Sequence, residues 1–251
     1  MKVSIITILY NAADTLEDTI LSVIGQTYDD LEYIIIDGAS TDGSPEIIEK
    51  YSDRIDRFVS EPDEGIYFAM NKGLQMATGD VVGILNADDT YASKEVIAKV
   101  VSQLSAAKTD SLYGDLNYVD RNKAGNVVRR WKSGKFDRSS FLKGWMVPHP
   151  TFFVRKEIYQ KYGIFNTNLT TSADYEFMLR VLYKEKITAI YLPEVLVNMK
   201  TGGQSNLSWQ NRIKANKEDR RAWELNGIKP GAFTFIKKPF RKIGQFLIIK
   251  T

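Results

Sequence analysis

Three short runs of mostly apolar residues and one shorter, more polar segment divide the first half of the chain. VSIITILY (3–10), LEYIIIDG (31–38) and VVGILNAD (81–88) predict three buried strands, and IDRFVSE (55–61) predicts a shorter one. The segments between them carry apolar residues at helical spacing, as amphipathic helices do. Buried strands joined by helices are typical of an α/β protein in which a parallel sheet is covered on both faces.

Polar side chains follow each of these strands. In chain order they are Tyr10 and Asn11, then Asp37, then Glu61 and Asp63, and finally Asn86, Asp88 and Asp89. Ligands of open α/β sheets bind beyond the carboxyl ends of the strands, so we expect these groups to form a site. The adjacent carboxylates of Asp88 and Asp89 repel each other unless a positive charge lies between them. The pattern therefore predicts a bound cation.

The composition narrows the choice of cation. The 251 residues include no cysteine and a single histidine, His149, which excludes disulfides, thiol catalysis and metal sites built on cysteines or several histidines. Oxygen ligands suit Mg²⁺ or Mn²⁺, which proteins commonly hold with one or two carboxylates and the phosphates of a substrate. The first strand is not followed by a glycine-rich phosphate loop, so we expect the phosphorylated ligand to be held through the metal.

Charge and hydropathy bear on partners and location. A net charge of +3 is too small for a dedicated nucleic-acid binder, and no nucleic-acid partner is expected. We see no export signal and no stretch long enough to span a bilayer, which predicts a cytoplasmic protein. The tail over 228–251 mixes basic and apolar residues. It either makes a peripheral contact with anionic lipid on the inner face of the cell membrane or packs back onto the domain.

The second half of the chain has a more mixed pattern. It predicts a hairpin from 111–120 and 127–132, strands near 150–156 and 187–198, a helix over 173–185 and a long charged helix over 208–225. No linker of low complexity interrupts it. We therefore expect one domain over 1–227, made of a first half (1–110) and a mixed second half (111–227), followed by the tail.

Two long segments carry a family resemblance. VSIITILYNAADTLEDTILSVIGQTYDDLEYIIIDGASTDGS (3–44) and SEPDEGIYFAMNKGLQMATGDVVGILNADD (60–89) closely resemble the family 2 glycosyltransferases of the GT-A fold. This resemblance implies a Rossmann-like, mostly parallel central sheet flanked by helices, with the second half on the acceptor side. It also implies transfer of a sugar from a nucleoside diphosphate to an acceptor, with inversion at the anomeric carbon.

The resemblance assigns roles to the strand-end residues. Tyr10, Asp37 and Asp63 resemble the family's contacts to the base and ribose, and Asp88 matches the aspartate that binds the divalent cation. The same nucleotide site is expected to include Asn11, Asn71, Lys72, Asn86 and Ala87. Because Asn86 replaces the usual first aspartate of the D-x-D motif, donor recognition should differ more than metal binding.

The segment SADYEFMLR (172–180) resembles the family's general-base segment. Asp174 occupies the position of the base, and Ala173 replaces the glutamate that normally precedes it. GGQSN (202–206) is similar to a loop near the acceptor and diphosphate. Asp89 and Trp145 are expected on the acceptor side.

Structural alternatives stay open for several of these residues. Asp88 and Asp89 could serve only in a cap or turn before the helix that Ser93 begins, and Asp37 could serve only in a turn. Asp63 could cap a helix, and Asp174 could stabilise a helix N-terminus. His149 is either a buried hydrogen-bonding residue or a second metal ligand or diphosphate contact. Trp145 either stacks under an acceptor sugar or fills the core.

The function expected from the residues and the resemblance is that of a metal-dependent, inverting glycosyltransferase. Its donor is expected to be UDP-linked, and its acceptor a hydroxyl of a glycan or lipid-linked molecule in cell-surface polysaccharide or lipopolysaccharide synthesis. A nucleotidyltransferase would open with a basic, glycine-rich loop, which this chain lacks. The alternative from another class is a non-catalytic nucleotide- or glycan-binding relative of the same fold.

Overall fold

The computed structural model describes residues 1–123, 125–202, 209–231 and 234–235, without the side chains of 209–212. In these ranges the strands are β1 (Val3–Leu9), β2 (Leu31–Asp37), β3 (Arg57–Ser60), β4 (Val81–Ile84), β5 (Asp89–Tyr91), β6 (Ser111–Val119), β7 (Val127–Trp131), β8 (Phe153–Arg155) and β9 (Ala189–Lys200). The α-helices are α1 (Ala13–Ile24), α2 (Ser44–Lys50), α3 (Ile66–Met76), α4 (Val96–Ala107), α5 (Lys156–Tyr162), α6 (Ala173–Met178) and α7 (Trp209–Leu225).

The strands form one mixed sheet in the order β3-β2-β1-β4-β8-β6-β9-β5, with β7 paired to β6. The first four strands run parallel, and β1 lies between β2 and β4. The predicted parallel strands of the first half are thus confirmed. The chain proceeds from β1 to β2 on one side and reaches β4 on the other, which makes the β1–β4 boundary a topological switch point, where such sheets bind ligands.

Alternate residues of β1 enter two different apolar cores, because successive side chains of a strand point to opposite faces. Val3 and Ile5 pack in one core, with residues of α1 and α4. Ile6 and Ile8 pack in the other, with residues of α3, α5 and α6. The sheet is therefore covered on both faces, as the apolar strand runs predict.

The second half extends the sheet through antiparallel and parallel pairs. β8 pairs antiparallel with β4, and β6 pairs parallel with β9. The hairpin of β6 and β7 is confirmed. The predicted helix over 173–185 is helical throughout most of its length but changes type. The α-helix α6 ends at Met178, and a π-helical segment follows over Leu179–Lys184. The pattern did not predict β5, a three-residue strand that pairs with the end of β9.

The described part of the tail packs against the domain. The hydroxyl of Thr234 donates to the carbonyl of Leu142 at 2.7 Å, and Phe235 packs at the edge of the core that includes α3. Packing onto the domain is thus the arrangement at these two tail residues, whereas 236–251 lie outside the described residues. Within the part of the chain that the structure describes, no helix is long and apolar enough to cross a membrane.

Close packing of α3 on β1 depends on Gly73. A Cβ atom built at Gly73 would lie closer than 3.0 Å to Cγ2 of Ile6, a separation that real Cβ atoms essentially never show. Ile6 is fully buried in the centre of the sheet and has no free space in which to move aside. This contact sets the position of α3, and with it the side chains that α3 presents to the second half.

We predict that Gly73→Ala lowers the free energy of unfolding by about 1–3 kcal/mol, although alanine has the higher helix propensity, because overpacking a close contact costs that much. Urea unfolding followed by circular dichroism checks it. Gln75→Ala, an exposed position of the same helix, is the matched control and should stay within about 0.5 kcal/mol of wild type. Equal stability of the two variants would contradict the packing argument.

Candidate functional site

The ends of the four parallel strands meet at one edge of the sheet. Leu9 at the end of β1 pairs with Asp37 at the end of β2, and Asp37 pairs with Ser60 at the end of β3. Ile84 ends β4 opposite Ile6 on the other side of β1. The polar residues that follow these strands are therefore brought to the same edge, as the sequence pattern predicts.

Asp37 is fully buried, and both of its carboxylate oxygens accept hydrogen bonds from the protein. The hydroxyl of Ser40 donates to Oδ1 at 2.5 Å, and that of Ser60 donates to Oδ2 at 2.6 Å. Asn11 lies in the left-handed region with φ of 49°, and its Oδ1 accepts from the backbone N–H of Thr41 at 2.9 Å. Asp37 and Asn11 thus shape the loops at this edge, and their nucleotide contacts stay predictions.

Tyr10 presents its ring to solvent beside these loops. Its side chain is 58% exposed, unusual for a residue that directly follows a buried strand. A Cβ at Gly38 would lie 3.4 Å from Cδ2 of Tyr10, so the ring rests against the backbone of the loop after β2. An exposed ring supported from below can stack on a planar ligand.

An ion-pair cluster follows β3. Lys72 on α3 contacts Asp63 at 2.8 Å and Glu61 at 2.7 Å. Burial lowers the pKa of Lys72, but hydrogen bonds and charge from the two carboxylates outweigh it, so the pKa is raised overall and the ammonium keeps its charge. Oδ2 of Asp63 is buried and accepts no hydrogen bond among the described residues.

Asn71 joins α3 to the second half of the chain. Its Nδ2 donates to the carbonyl of Phe165 at 2.9 Å, and its Oδ1 accepts from the N–H of the same residue at 3.0 Å. The structure therefore gives Asn71 a structural role, and its predicted nucleotide contact stays a prediction.

The segment after β4 carries oxygens that suit a hard cation. Burial raises the pKa of Asp88, opposed by the positive charges of Arg121 and Lys200. Oδ1 of Asn86 and Oδ1 of Asp89 are buried and accept no hydrogen bond within the described ranges. The carboxylate of Asp88 is of the type that holds Mg²⁺ or Mn²⁺ together with substrate phosphates. No cluster of three or more acidic or histidine side chains forms a full metal cage in the described chain.

Asp89 is fully buried at the start of β5, where it has no surface to offer an acceptor. Burial, and then the charge of Asp88, raise the pKa of its carboxyl well above the ordinary value. Trp145 is also buried, and its indole N–H donates to the carbonyl of Ser133 at 2.9 Å. Its ring contacts Phe141 at 5.4 Å between centroids. The alternative that Trp145 fills the core therefore applies, instead of stacking on an acceptor sugar.

Asp174 lies in the first turn of α6, against the first half of the chain. The hydroxyl of Tyr67, on α3, donates to Oδ1 of Asp174 at 2.8 Å. Burial, and then the charge of Asp174, raise the pKa of Tyr67 well above its ordinary value, so the phenol stays protonated and keeps donating. Tyr67 was missed in the sequence because it stands in an apolar helical face, where an aromatic residue is normally core.

His149 lies close to Asp174. Burial lowers the pKa of His149 below its ordinary value, and the negative charge of Asp174 opposes that shift. Its ring also contacts Phe165 at 5.9 Å between centroids. His149 is half-buried. Both alternatives for it, a buried hydrogen-bonding residue and a second metal ligand or diphosphate contact, stay predictions. Of the predicted loop GGQSN, only Gly202 lies within the described residues.

Comparison with known proteins supplies the family. Residues 4–163 match the family model described as "Glycosyl transferase family 2". The chain belongs to this family. It is 34% identical over 181 residues to an uncharacterized glycosyltransferase of Mycobacterium tuberculosis, covering 71% of this chain and 68% of the relative. It is 29% identical over 208 residues to a PGL/p-HBAD biosynthesis glycosyltransferase of that species, covering 81% and 78%.

Solved structures of other proteins share the fold. Staphylococcus aureus TarS 1-349, in complex with UDP-GlcNAc, superposes with a TM-score of 0.73 at 17% identity, covering 98% of this chain and 72% of TarS 1-349. A mannosyltransferase of Pyrobaculum calidifontis, in complex with GDP-Man and Mn²⁺, gives 0.66 at 21%, covering 99% and 70%. The predicted GT-A fold is thus confirmed, and so is the prediction that this family 2 member is a glycosyltransferase.

The proximity of His149 and Asp174 can be measured directly. As the single histidine of the chain, His149 gives unique ring signals. Because burial lowers its pKa and Asp174 raises it, we expect a titration midpoint below 6.5 in wild type and a lower one in Asp174→Asn. NMR of untagged protein against pH measures both. Asp53→Asn, at an exposed position, should not move the midpoint. Equal midpoints in wild type and Asp174→Asn would refute the proximity.

Proposed function

We propose that this glycosyltransferase moves a hexosyl or N-acetylhexosaminyl group from a nucleoside diphosphate sugar to a hydroxyl of a glycan or lipid-linked acceptor. The reaction inverts the anomeric carbon, depends on a divalent cation, and serves cell-surface polysaccharide or lipopolysaccharide synthesis. The observation that carries the proposal is the 2.8 Å hydrogen bond between Tyr67 and Asp174. This hydrogen bond supports the proposal because it joins Asp174, the candidate base, to α3, the helix that follows β3.

The donor is proposed to bind across that edge. The exposed ring of Tyr10 would stack on the base, with Asp63, Lys72, Asn86 and Ala87 near the ribose and the diphosphate. The complexes of TarS with UDP-GlcNAc and of the mannosyltransferase with GDP-Man support a nucleotide sugar. UDP is the favoured carrier.

Asp88 would hold the cation, Mn²⁺ or Mg²⁺, in the segment after β4. Asn86 in the same segment has a buried oxygen that accepts no hydrogen bond among the described residues. When bound, such a cation stabilises the negative charge that develops on the departing diphosphate. Arg121 and Lys200 would also stabilise the negative charge of the diphosphate, because their positive charges act at Asp88 and therefore in the space next to it. Mn²⁺ in the complex of the mannosyltransferase supports this part of the proposal.

Asp174 would accept the proton of the attacking hydroxyl. Tyr67 donates to Oδ1 of Asp174, and Oδ2 would be the oxygen that accepts this proton. Attack from the side opposite the diphosphate needs one base and no covalent nucleophile, so a single displacement inverts the configuration. Neutral His149, next to Asp174, leaves the negative charge of the base uncompensated and available to the acceptor proton.

We further propose that the protein works in the cytoplasm, in peripheral contact with the inner face of the membrane, where a lipid-linked acceptor would be presented. The basic and apolar residues of 228–251 are the segment suited to that contact. Most of that segment lies outside the described residues.

Nucleotide binding is predicted to require metal and Asp88. In a melting assay with UDP, GDP or dTDP, one nucleotide at a hundred times its dissociation constant should stabilise wild type by about 2.7 kcal/mol with Mn²⁺ and by much less with a chelator. Asp88→Asn should lose this shift, whereas Asp53→Asn should keep it. A nucleotide shift of equal size with chelator would contradict metal dependence. No shift with any of the three would leave the segment after β4 as a structural turn.

Turnover is predicted to depend on Asp174. Incubation with a panel of UDP- and GDP-sugars and Mn²⁺, followed by release of the nucleotide, gives the rate. Asp174→Asn should lower the turnover number about 10²- to 10⁴-fold, the usual contribution of a general base, with the melting shift by nucleotide retained. Asp53→Asn should match wild type. Equal turnover in Asp174→Asn would refute the base assignment, and no turnover in wild type would favour the binding-protein alternative.

A further inference from the structure

One carboxylate of α7 holds the turn that leads into α6. Glu218 accepts hydrogen bonds from the N–H of Thr170 at 3.0 Å, of Thr171 at 2.7 Å and of Ser172 at 3.2 Å. It also accepts from the hydroxyls of Thr170 at 2.9 Å and Thr171 at 2.8 Å. Five donors from three consecutive residues therefore converge on a side chain 46 to 48 positions away.

The Glu218 carboxylate supplies the hydrogen-bond acceptor that the residues next to α6 do not supply for this turn. The first N–H groups of a helix and of the turn before it need acceptors, and Ser172 at the N-cap of α6 makes no side-chain capping bond. Burial alone would raise the pKa of Glu218, but the hydrogen bonds from Thr171 and Thr170 outweigh it and lower the pKa. Glu218 is therefore ionised at neutral pH, and its hydrogen bonds are charge-assisted.

The end of α7 and the residue after it are anchored to α6 by separate contacts. The indole N–H of Trp223 donates to the hydroxyl of Tyr175 at 2.9 Å, and Nδ2 of Asn226 donates to Oε1 of Glu176 at 2.9 Å. Trp223 is fully buried. Since these contacts do not involve Glu218, we expect α7 to stay docked when that carboxylate is changed.

Asp174 stands two residues after the turn that Glu218 holds. We infer that Glu218 is a positioning residue for Asp174: it fixes the backbone that carries the base, while Tyr67 fixes one carboxylate oxygen. This inference rests on the proposed function, in which Asp174 is the base. It also makes α7, which lies beyond the residues matched by the family model, part of the catalytic apparatus.

Glu218→Gln is the test variant, because the amide keeps the shape, loses the charge and points an N–H group toward backbone donors. Glu224→Gln, at an exposed position of α7, is the matched control. Val100→Ala, at a buried core position of α4, is the control for lost stability alone. All are assayed well below their melting temperatures.

Two readouts follow. In Glu218→Gln, hydrogen exchange should show lost protection at the amides of 170–172, with none lost in Glu224→Gln. With the donor identified by the sugar panel, the turnover number should fall about 10- to 100-fold, as expected for a misplaced catalytic group, with KM for the donor within about twofold. Val100→Ala should keep its turnover number. Thr171→Val removes one hydrogen-bond donor to Glu218. The effect of Thr171→Val on the turnover number should therefore be much smaller when it is added to Glu218→Gln than when it is made in wild type.

Each contrary outcome has a distinct meaning. Unchanged protection at 170–172 in Glu218→Gln would overturn the inference, because the turn would then be held without this carboxylate. Lost protection with an unchanged turnover number would also overturn it and leave Glu218 a structural role. Absence of turnover in wild type would refute the proposed function instead, and the inference, which needs a catalytic base, would fall with it, whatever the exchange data show.

Discussion

The parallel pairing of β1 with β2 on one side and β4 on the other is the constraint on which the site depends. All seven residues of β1 are buried, so its backbone hydrogen bonds are shielded from water. The register in which β1 pairs with its neighbours is therefore strongly constrained. Once β1 is placed, Asp37 and the segment after β4 must lie on either side of its end. The polar loops lie close together because this buried strand pairing fixes where they begin.

The candidate base obtains its position in a different way. Asp174 lies on a helix of only six residues that continues into a π-helical turn. Such turns often occur at functional sites, and a short helix does not hold a side chain rigidly by itself. Its rigidity is supplied from outside, by Tyr67 on α3 and by Glu218 on α7. Asp174 is thus held between α3 of the first half and α7.

Three buried oxygens at the strand-end edge accept no hydrogen bond from the described protein: Oδ2 of Asp63, Oδ1 of Asn86 and Oδ1 of Asp89. Burying polar atoms without partners is costly, and proteins keep such atoms mainly where function requires them. The buried Asp89 carboxyl, with its strongly raised pKa, adds to that cost. The same edge carries Arg121 and Lys200, whose charges oppose the raised pKa of Asp88. The unpaired oxygens suit a metal ion, and the positive side chains of Arg121 and Lys200 suit phosphate. Together they suit a ligand that brings both.

Local pattern determined most of the strands and helices, and the identity of the polar residues that end each strand of the first half. The sequence motifs also indicated the family, because they recur in order over most of the first ninety residues. Tertiary structure alone decided which predicted residues are structural: Asn71 binds the backbone of Phe165, and Trp145 lies in the core. It alone revealed Tyr67 and Glu218, since their partners lie 107 and 46 to 48 residues away. Periodicity reports contacts within an element, and contacts over such separations exist only after the sheet has brought the elements together.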